Sequence, residues 1–433
     1  PDIQFKTRIK SARYDEENNV WTIESDSGAQ AQSKYLITAV GVLSAPYIPA
    51  FEGMESFKGL SWHTSDWPRE PLELSNKRVG VIGTGATAVQ MIPEIAKEVG
   101  HLTVFQRTAN YCLPSGNTKI TEEEQAQIKV NYRRMFERCK ETFGAFVHGF
   151  DERTTLDIPA AEREAWYEEL YNTPGFALWL GNCADIFSNK EANDHLADFV
   201  RKKIRERIDD PEMAKQLIPI DHPFGTKRVP LDAGYYEAYN RDNVDLVDLK
   251  AEPLERISSQ GIKTSAAEYE FDIIIYATGF DAVTGAFTQM DIYDANGRTL
   301  NEKWADGPKT YLGIQSAGFP NLFTVIGPHN GGTFCNIPRC IEQNVEWVTD
   351  CIKYLRENNI ERIQASLEAE EAWTEHVAEV VNQTLLPQID SWFMGANIPG
   401  KKRNFLLYAG GSQNFRARCE EIVANGYEGF ILQ

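Results

Sequence analysis

The stretch PFGTKR, residues 223–228, ends in two adjacent cations, Lys227 and Arg228. A guanidinium keeps its charge at any working pH and presents a rigid fork of donors, so it can steady an oxyanion that develops during a reaction. Taken alone, in a chain of net charge −19, such a pair is more often a solvated surface pair. A second set lies in FKGLSWHTSDWP, residues 57–68, where Phe57 precedes Gly59, His63 and Trp67, the last three at intervals of four. A third follows in RVGVIGTGATA, residues 78–88. There Gly83, Gly85 and Ala88 fill the positions of a G-x-G-x-x-G/A turn, with Thr84, Ala86 and Thr87 between them. Such a turn lets the backbone close on a pyrophosphate, and the free N–H groups of the next helix face the phosphates.

A glycine pattern alone is a weak signal, and its context decides. Residues 77–108 read as strand, turn, helix, strand, which is the required context. Pro93 falls inside the helical pattern and predicts a kink there. At the end of the second strand, where an NAD site places a carboxylate, stand Arg107 and Thr108. A guanidinium beside a hydroxyl suits a ribose 2′-phosphate, so NADP is the expected dinucleotide. The competing reading of Arg107 is a surface arginine at a strand end.

These residues need elements to hold them. The chain opens with residues 5–41 as an alternating strand–turn–strand–turn–strand, and its last strand ends at Ala39-Val40-Gly41. Residues 252–280 repeat the arrangement and end at Ala277-Thr278-Gly279. Two dinucleotide-binding halves imply two dinucleotides. Because NADPH delivers a hydride, the second is expected to be FAD, with the two strand ends near the cofactors. The matching glycine turn of the first copy would fall ahead of Pro1, so a preceding βαβ unit of roughly 30 residues is expected.

Between the copies, residues 119–221 read as a helical insertion. Thr121 with Glu124 forms a capping box, and Ile128, Tyr132, Met135, Cys139 and Phe143 recur at helical spacing. Leu196, Val200, Ile204 and Ile208 form another stripe, and Asp210-Pro211 starts the next helix. Both stripes are read as core. Further on come a strand over residues 321–327 and a helix with Ile341, Val345, Val348, Ile352 and Leu355 on one face. Ser366 then opens a helix running through Leu385.

The fold class expected is α/β, with two Rossmann-like dinucleotide-binding domains and a helical insertion. The FAD domain is residues 1–45 and 275–433. The NADP domain is residues 46–118 and 222–274, with 119–221 inserted. At 433 residues, several domains are ordinary. The acidic balance argues against nucleic acid and anionic membranes. No apolar run reaches spanning length, and the start is not a secretory signal. Seven scattered cysteines without a CxxC read as reduced thiols of a cytoplasmic protein and argue against a disulfide reductase. Seven dispersed histidines suggest no metal site.

Phe57-x-Gly59-x-x-x-His63-x-x-x-Trp67-Pro68 resembles the fingerprint of the FAD- and NADPH-dependent, single-component Baeyer–Villiger monooxygenases. The similarity extends over nearly the whole chain, through GTGATAVQ, VFQRTANY, PFGTKR, YNRDNV, ATGFDA, GPKTYLG, FPNLF, IEQNVEWV, GANIPGK and GYEGF. The resemblance implies that NADPH reduces the flavin, that oxygen adds to give a flavin peroxide, and that this attacks a ketone to give an ester or lactone. It implies that the fingerprint lies at the join of the domains, with Gly59 permitting a tight linker and His63 and Trp67 anchoring it. It implies that Arg228 is the active-site arginine and that Lys227 lies near the NADP phosphate. It adds Gln90 to the cofactor-binding residues, makes Trp392 a contact of the nicotinamide cofactor, and makes Thr333, Phe334, Cys335 and Ile337 pocket residues. The plain alternatives are a satisfied linker histidine for His63 and a core tryptophan for Trp392. Two departures stand out: the FAD glycine turn and an acidic active-site residue of that same stretch are absent from these residues. Three functions are weighed: ketone oxygenation, oxygenation of nitrogen or sulfur by a sister flavin monooxygenase, and an NADP-binding remnant without catalysis.

Overall fold

The computed structural model describes residues 3–331 and 335–433. It divides into two compact units. The first comprises Pro1–Ala45, Glu122–Gly149 and Phe280–Gln433, and the second Pro46–Thr121 and Phe150–Gly279.

The second unit is built on a five-stranded parallel sheet. Its strands, in spatial order, are Val244–Asp248, His101–Gln106, Arg78–Ile82, Ile273–Tyr276 and Leu60–His63. The central runs VGVI, LTVF and IIIY are apolar and buried, as a parallel sheet covered on both faces requires. Register brings the carboxyl ends of four strands level, because Ile82 pairs with Phe105 and Tyr276 pairs with both Ile82 and His63. Beside the sheet, Leu254–Ile257, Gly261–Thr264 and Glu268–Glu270 form the expected meander. Ile82, Phe105, Phe271, Ile274 and Tyr276 share one core cluster with Ile257 and Ile262 of the meander.

In the first unit the opening meander is Ile9–Asp15, Val20–Ser25 and Gln30–Ser33, joined at its edge by Asp291–Tyr293. The next strand, Leu36–Thr38, pairs in parallel with Leu322–Thr324. Tyr14, Trp21, Phe287, Trp304 and Phe319 fill the core behind the meander, and the Trp21 indole donates to the Pro320 carbonyl at 2.9 Å. The sequence repeat survives in the backbone: Gly41 and Gly279, which close its two copies, are both left-handed, with φ of 80° and 89°.

Several helical expectations hold and others shift. Leu196, Val200, Ile204 and Ile208 are buried as expected. Asp210 caps Pro211–Leu217, and the Ser366 side chain caps Leu367–Asn382. The stripe on Glu122–Lys140 is not core, because Cys139 alone is buried there and Tyr132 is 45% exposed. This helix follows the first unit, where the turn after it is held by hydrogen bonds from Asn336 N–H to Gly144 O and from Ser412 N–H to Phe143 O. Residues 119–221 are therefore divided between the units. On Ile337–Glu357 the buried face is Cys340, Gln343, Asn344, Trp347, Val348, Cys351 and Leu355, which leaves Ile341 and Val345 exposed. Here Gln343 and Asn344 are buried beside Val348 and Leu355. Asn344 Oδ1 accepts from Ile326 N–H and from Asn330 Nδ2.

The scattered thiols depart from expectation at one place. Cys335 and Cys340 are joined as a disulfide, while Cys112, Cys139, Cys183, Cys351 and Cys419 are free and buried. The pair is adjacent because the chain turns into the helix beginning at Ile337 between them.

Candidate active site

The level carboxyl edge of the parallel sheet gathers most of the chemistry-bearing residues. Arg78–Ile82 delivers the chain into Gly83, whose N–H donates to Phe105 O at 2.9 Å. Gly83 has φ of 109°, and a Cβ there would collide with the Ala277 carbonyl oxygen. Only glycine meets both demands. Gly85, by contrast, faces open space and caps the helix Ala86–Ile95 without a side-chain hydrogen bond. Gly85, Ala86, Thr87 and Gln90 are exposed, Ala88 is buried against the sheet, and the first turn carries no acidic residue. The helix N–H groups are thus presented with a favourable dipole for phosphate. Pro93 lies in the last turn, and the helix ends two residues later at Ile95.

After the neighbouring strand His101–Gln106, Arg107 is exposed and Thr108 half-buried. The Thr84 hydroxyl donates to Thr108 O at 2.9 Å and ties this strand end to the glycine turn. On the other side Ala277 N–H donates to Ile82 O, and the Thr278 hydroxyl donates to Tyr47 O at 2.6 Å.

The fingerprint residues meet the same edge. Gly59 precedes the edge strand Leu60–His63, and a Cβ on it would strike Asp272 O. Its requirement is close approach, and no left-handed φ is involved. Phe57 packs on the sheet's core cluster, and Trp67 sets its edge against the buried Trp62 ring at 5.5 Å. His63 is buried. Its Nε2 donates to Gly279 O at 2.9 Å, and its Nδ1 accepts from Ser65 N–H at 3.1 Å. That pattern selects the Nε2–H tautomer. Burial pushes its pKa below the ordinary imidazole value, against a smaller opposite effect from the Gly279 carbonyl. A neutral ring with both nitrogens committed to local partners suits an anchor of the Ala277-Thr278-Gly279 turn better than a proton shuttle. Tyr47 N–H donates to the same Gly279 oxygen at 2.9 Å.

Lys227 and Arg228 are half-buried in a loop that sequence reasoning left without a support. The structure supplies one. Asn193, 1% exposed on the helix Lys190–Glu206, clamps Phe224 on both sides: its Oδ1 accepts from Phe224 N–H at 2.8 Å and its Nδ2 donates to Phe224 O at 2.9 Å. Asn110 Nδ2 donates to Arg228 O at 3.0 Å. Burial lowers the Arg228 pKa, marking a partly desolvated cation. An asparagine on an amphipathic helix gives no signal by itself, because the bonds it makes are visible only once the loop is folded.

Trp392, Cys335 and Ile337 belong to the first unit. Trp392 begins a short 3-10 turn and packs on Phe393 at 4.5 Å. The loop after it is tied down by Asn397, which donates to Phe280 O at 2.9 Å, and by Lys401, which pairs with Asp281. Cys335 is buried and disulfide-bonded, and Ile337 opens its helix half-buried. Thr333 and Phe334 lie outside the described residues. Among the described residues there is no group of side chains suited to hold a metal, and no helix is long and apolar enough to cross a membrane.

A glycine turn, a cationic strand end and a parallel sheet with these elements at its carboxyl edge define a Rossmann-like unit of the dinucleotide-binding class. Comparison with known proteins narrows the class. A family profile described as L-lysine 6-monooxygenase/L-ornithine 5-monooxygenase matches residues 1–173. The 2-oxo-Delta(3)-4,5,5-trimethylcyclopentenylacetyl-CoA monooxygenase of Pseudomonas putida is 44% identical over 99% of this chain and 80% of its own length. Cyclohexanone 1,2-monooxygenase of an Acinetobacter species is 42% identical, covering 99% and 79%. A Baeyer–Villiger monooxygenase of Pseudooceanicola batsensis is 41% identical, covering 99% and 78%. Among solved structures, OTEMO in complex with FAD and NADP superposes with a TM-score of 0.96 at 44% identity, covering 99% of this chain and 81% of that one. A closed cyclohexanone monooxygenase gives 0.95 at 41% identity, covering 99% and 80%. The chain belongs to the Baeyer–Villiger monooxygenase family.

Proposed function

We propose that the second unit holds NADP at its sheet edge and presents Arg228 as the working cation of a ketone oxygenation. The family's reaction is ketone + O2 + NADPH + H+ giving ester or lactone + NADP+ + H2O, with FAD as resident cofactor. When bound, FAD supplies the oxygen-activating redox chemistry and NADPH the hydride.

The residues present fit NADP, and the first unit supplies part of a seat for FAD. For NADP, the open cradle at Gly85 and the acid-free first turn of Ala86–Ile95 suit the pyrophosphate. Arg107 with Thr108 would take the 2′-phosphate, and Lys227 would add charge nearby. For FAD, the first unit offers a parallel strand pair ending near the left-handed Gly41, and a long helix from Ile337 whose first turn carries no acid. Ala277, Thr278 and Gly279 would close on the cofactors, fixed there by His63 and Tyr47. Trp392 would pack on the nicotinamide cofactor, and Cys335 and Ile337 would line the ketone pocket. Residues 46–121 and 150–279 are then the NADP domain, and the remaining segments the FAD domain. A guanidinium in a partly desolvated setting stabilises negative charge on oxygen more strongly than it would in water.

The observation that carries this reading is the common carboxyl edge, where Gly83, Arg107 and Ala277 each follow the last residue of a strand and His63 ends one. Oxygen transfer to nitrogen is the second reading. It is favoured by the matching of an N-hydroxylase profile and by a phenazine N-monooxygenase of Lysobacter antibioticus that is 39% identical over the whole chain. The test is to supply the protein with FAD, NADPH and oxygen, offer small cyclic ketones beside aromatic N-heterocycles, and identify the product by mass and fragmentation. Lactone formation is expected, and Arg228→Ala should lower it by roughly 100- to 1,000-fold. N-oxide as the product would replace the ketone reading. An undiminished rate in Arg228→Ala would remove that arginine from the chemistry.

A further inference from the structure

The short helix Ala177–Leu180 and its N-cap Phe176 lie beside the PFGTKR loop and bring two aromatic residues, Phe176 and Trp179, that the function above does not use. The Arg228 guanidinium carbon is 5.1 Å from the centre of the Phe176 ring and 5.8 Å from that of Trp179. The two rings meet edge to face, 5.7 Å apart at 67°. Trp179 is fully buried and Phe176 is 8% exposed, so this is a built surface. The loop is shaped to the same ring. Gly225 is left-handed, with φ of 79°, and a Cβ on it would lie 2.6 Å from the Trp179 indole nitrogen.

We propose that Phe176 and Trp179 form an aromatic seat that positions the Arg228 guanidinium. Both act through Arg228 and are positioning residues, so the proposal rests on the reading of Arg228 as the working cation. The physical logic is specific. A ring face attracts a cation through its quadrupole and shields one side of it from water. It does so without cancelling the charge, as a carboxylate would. Two rings at a steep angle restrict both the height and the tilt of the planar guanidinium, leaving a charged group that reaches an oxyanion with little reorganisation.

The experiment compares Phe176→Leu, Trp179→Leu and the conservative Trp179→Phe with the parent protein and with Arg228→Ala. Two quantities are read on the full chain. One is the kcat against KM split for NADPH in the FAD-loaded enzyme. The other is the rate of phenylglyoxal labelling of Arg228 without cofactors, followed by peptide mass spectrometry. The seat predicts that each leucine variant lowers kcat roughly 10- to 100-fold with KM for NADPH changed less than about 3-fold. It predicts labelling faster by about 10-fold, and recovery of both quantities in Trp179→Phe. Unchanged labelling overturns the seat whatever happens to kcat, and unchanged kcat overturns it whatever happens to labelling. If Trp179→Leu does not fold, Phe176→Leu decides, since that ring lies at the edge of the buried surface. A dead Arg228→Ala beside unaffected leucine variants removes the seat alone. An active Arg228→Ala removes the functional reading beneath it.

Discussion

At the scale of single residues, charge placement decides more than residue count. Arg107 is exposed at the end of a buried strand, and its neighbour Thr108 is bonded to the glycine turn through Thr84. A 2′-phosphate carries charge that a ribose hydroxyl lacks, so in the proposed site the guanidinium would discriminate between the two cofactors. Arg107→Ala should therefore weaken NADPH binding by roughly 10- to 100-fold while leaving NADH nearly unchanged. Titration of both nucleotides against the variant checks this, and equal losses would return Arg107 to the surface. Asp221 gives a second residue-level consequence. Burial raises its pKa, but hydrogen bonds from Lys250 and His222 outweigh that and bring the carboxyl down to about 2. A carboxyl depressed on folding contributes stability that is present above its ordinary pKa of about 3.9 and is lost as pH falls towards the folded value. Urea midpoints of the parent and Asp221→Asn should differ above about pH 4 and converge near pH 2. A gap that persists at pH 2 would mean that the pairing is not the cause.

At the scale of elements, periodicity identified where helices are more reliably than what they face. Leu196, Val200, Ile204 and Ile208 stand on one face and are all buried. The Glu122–Lys140 stripe has the same spacing, but Ile128 and Met135 stay half-buried, Tyr132 is exposed and Cys139 alone is buried. Spacing fixes which residues share a face, but only a neighbouring element determines whether that face is covered. The sheet was legible because central parallel strands are continuously apolar. Their register was not, and register is what brings Ile82, Phe105, Tyr276 and His63 level. Support of the PFGTKR loop by Asn193 was equally hidden, since its partners are backbone groups from a different part of the chain.

At the scale of the molecule, each unit is assembled from segments that are far apart in sequence. The proposed NADP site draws on Gly83, Arg107 and Ala277, so an unfolded chain has no such site. NADP should then stabilise the protein by about 2.7 kcal/mol when present at about 100 times its dissociation constant. A thermal melt with and without NADP measures this, and Arg107→Ala should give a much smaller shift at the same concentration. No shift in the parent would mean that the sheet edge does not hold the nucleotide.

By itself the amino-acid sequence determined which residue types could do chemistry: the glycine turn, the cationic strand end, the fingerprint and the Lys-Arg pair. It also determined the repeated meander and strand that frame them. These are local patterns, and local backbone geometry depends on nearby residues. Tertiary structure alone decided that His63 binds the Gly279 carbonyl, that Asn193 clamps the loop before Arg228, and that Phe176 and Trp179 lie against its guanidinium. It also placed Glu122–Lys140 with the first unit and joined Cys335 to Cys340. Each of these is a meeting of groups whose separation in space is set by how sheets and helices pack. Spacing along the chain does not encode that distance.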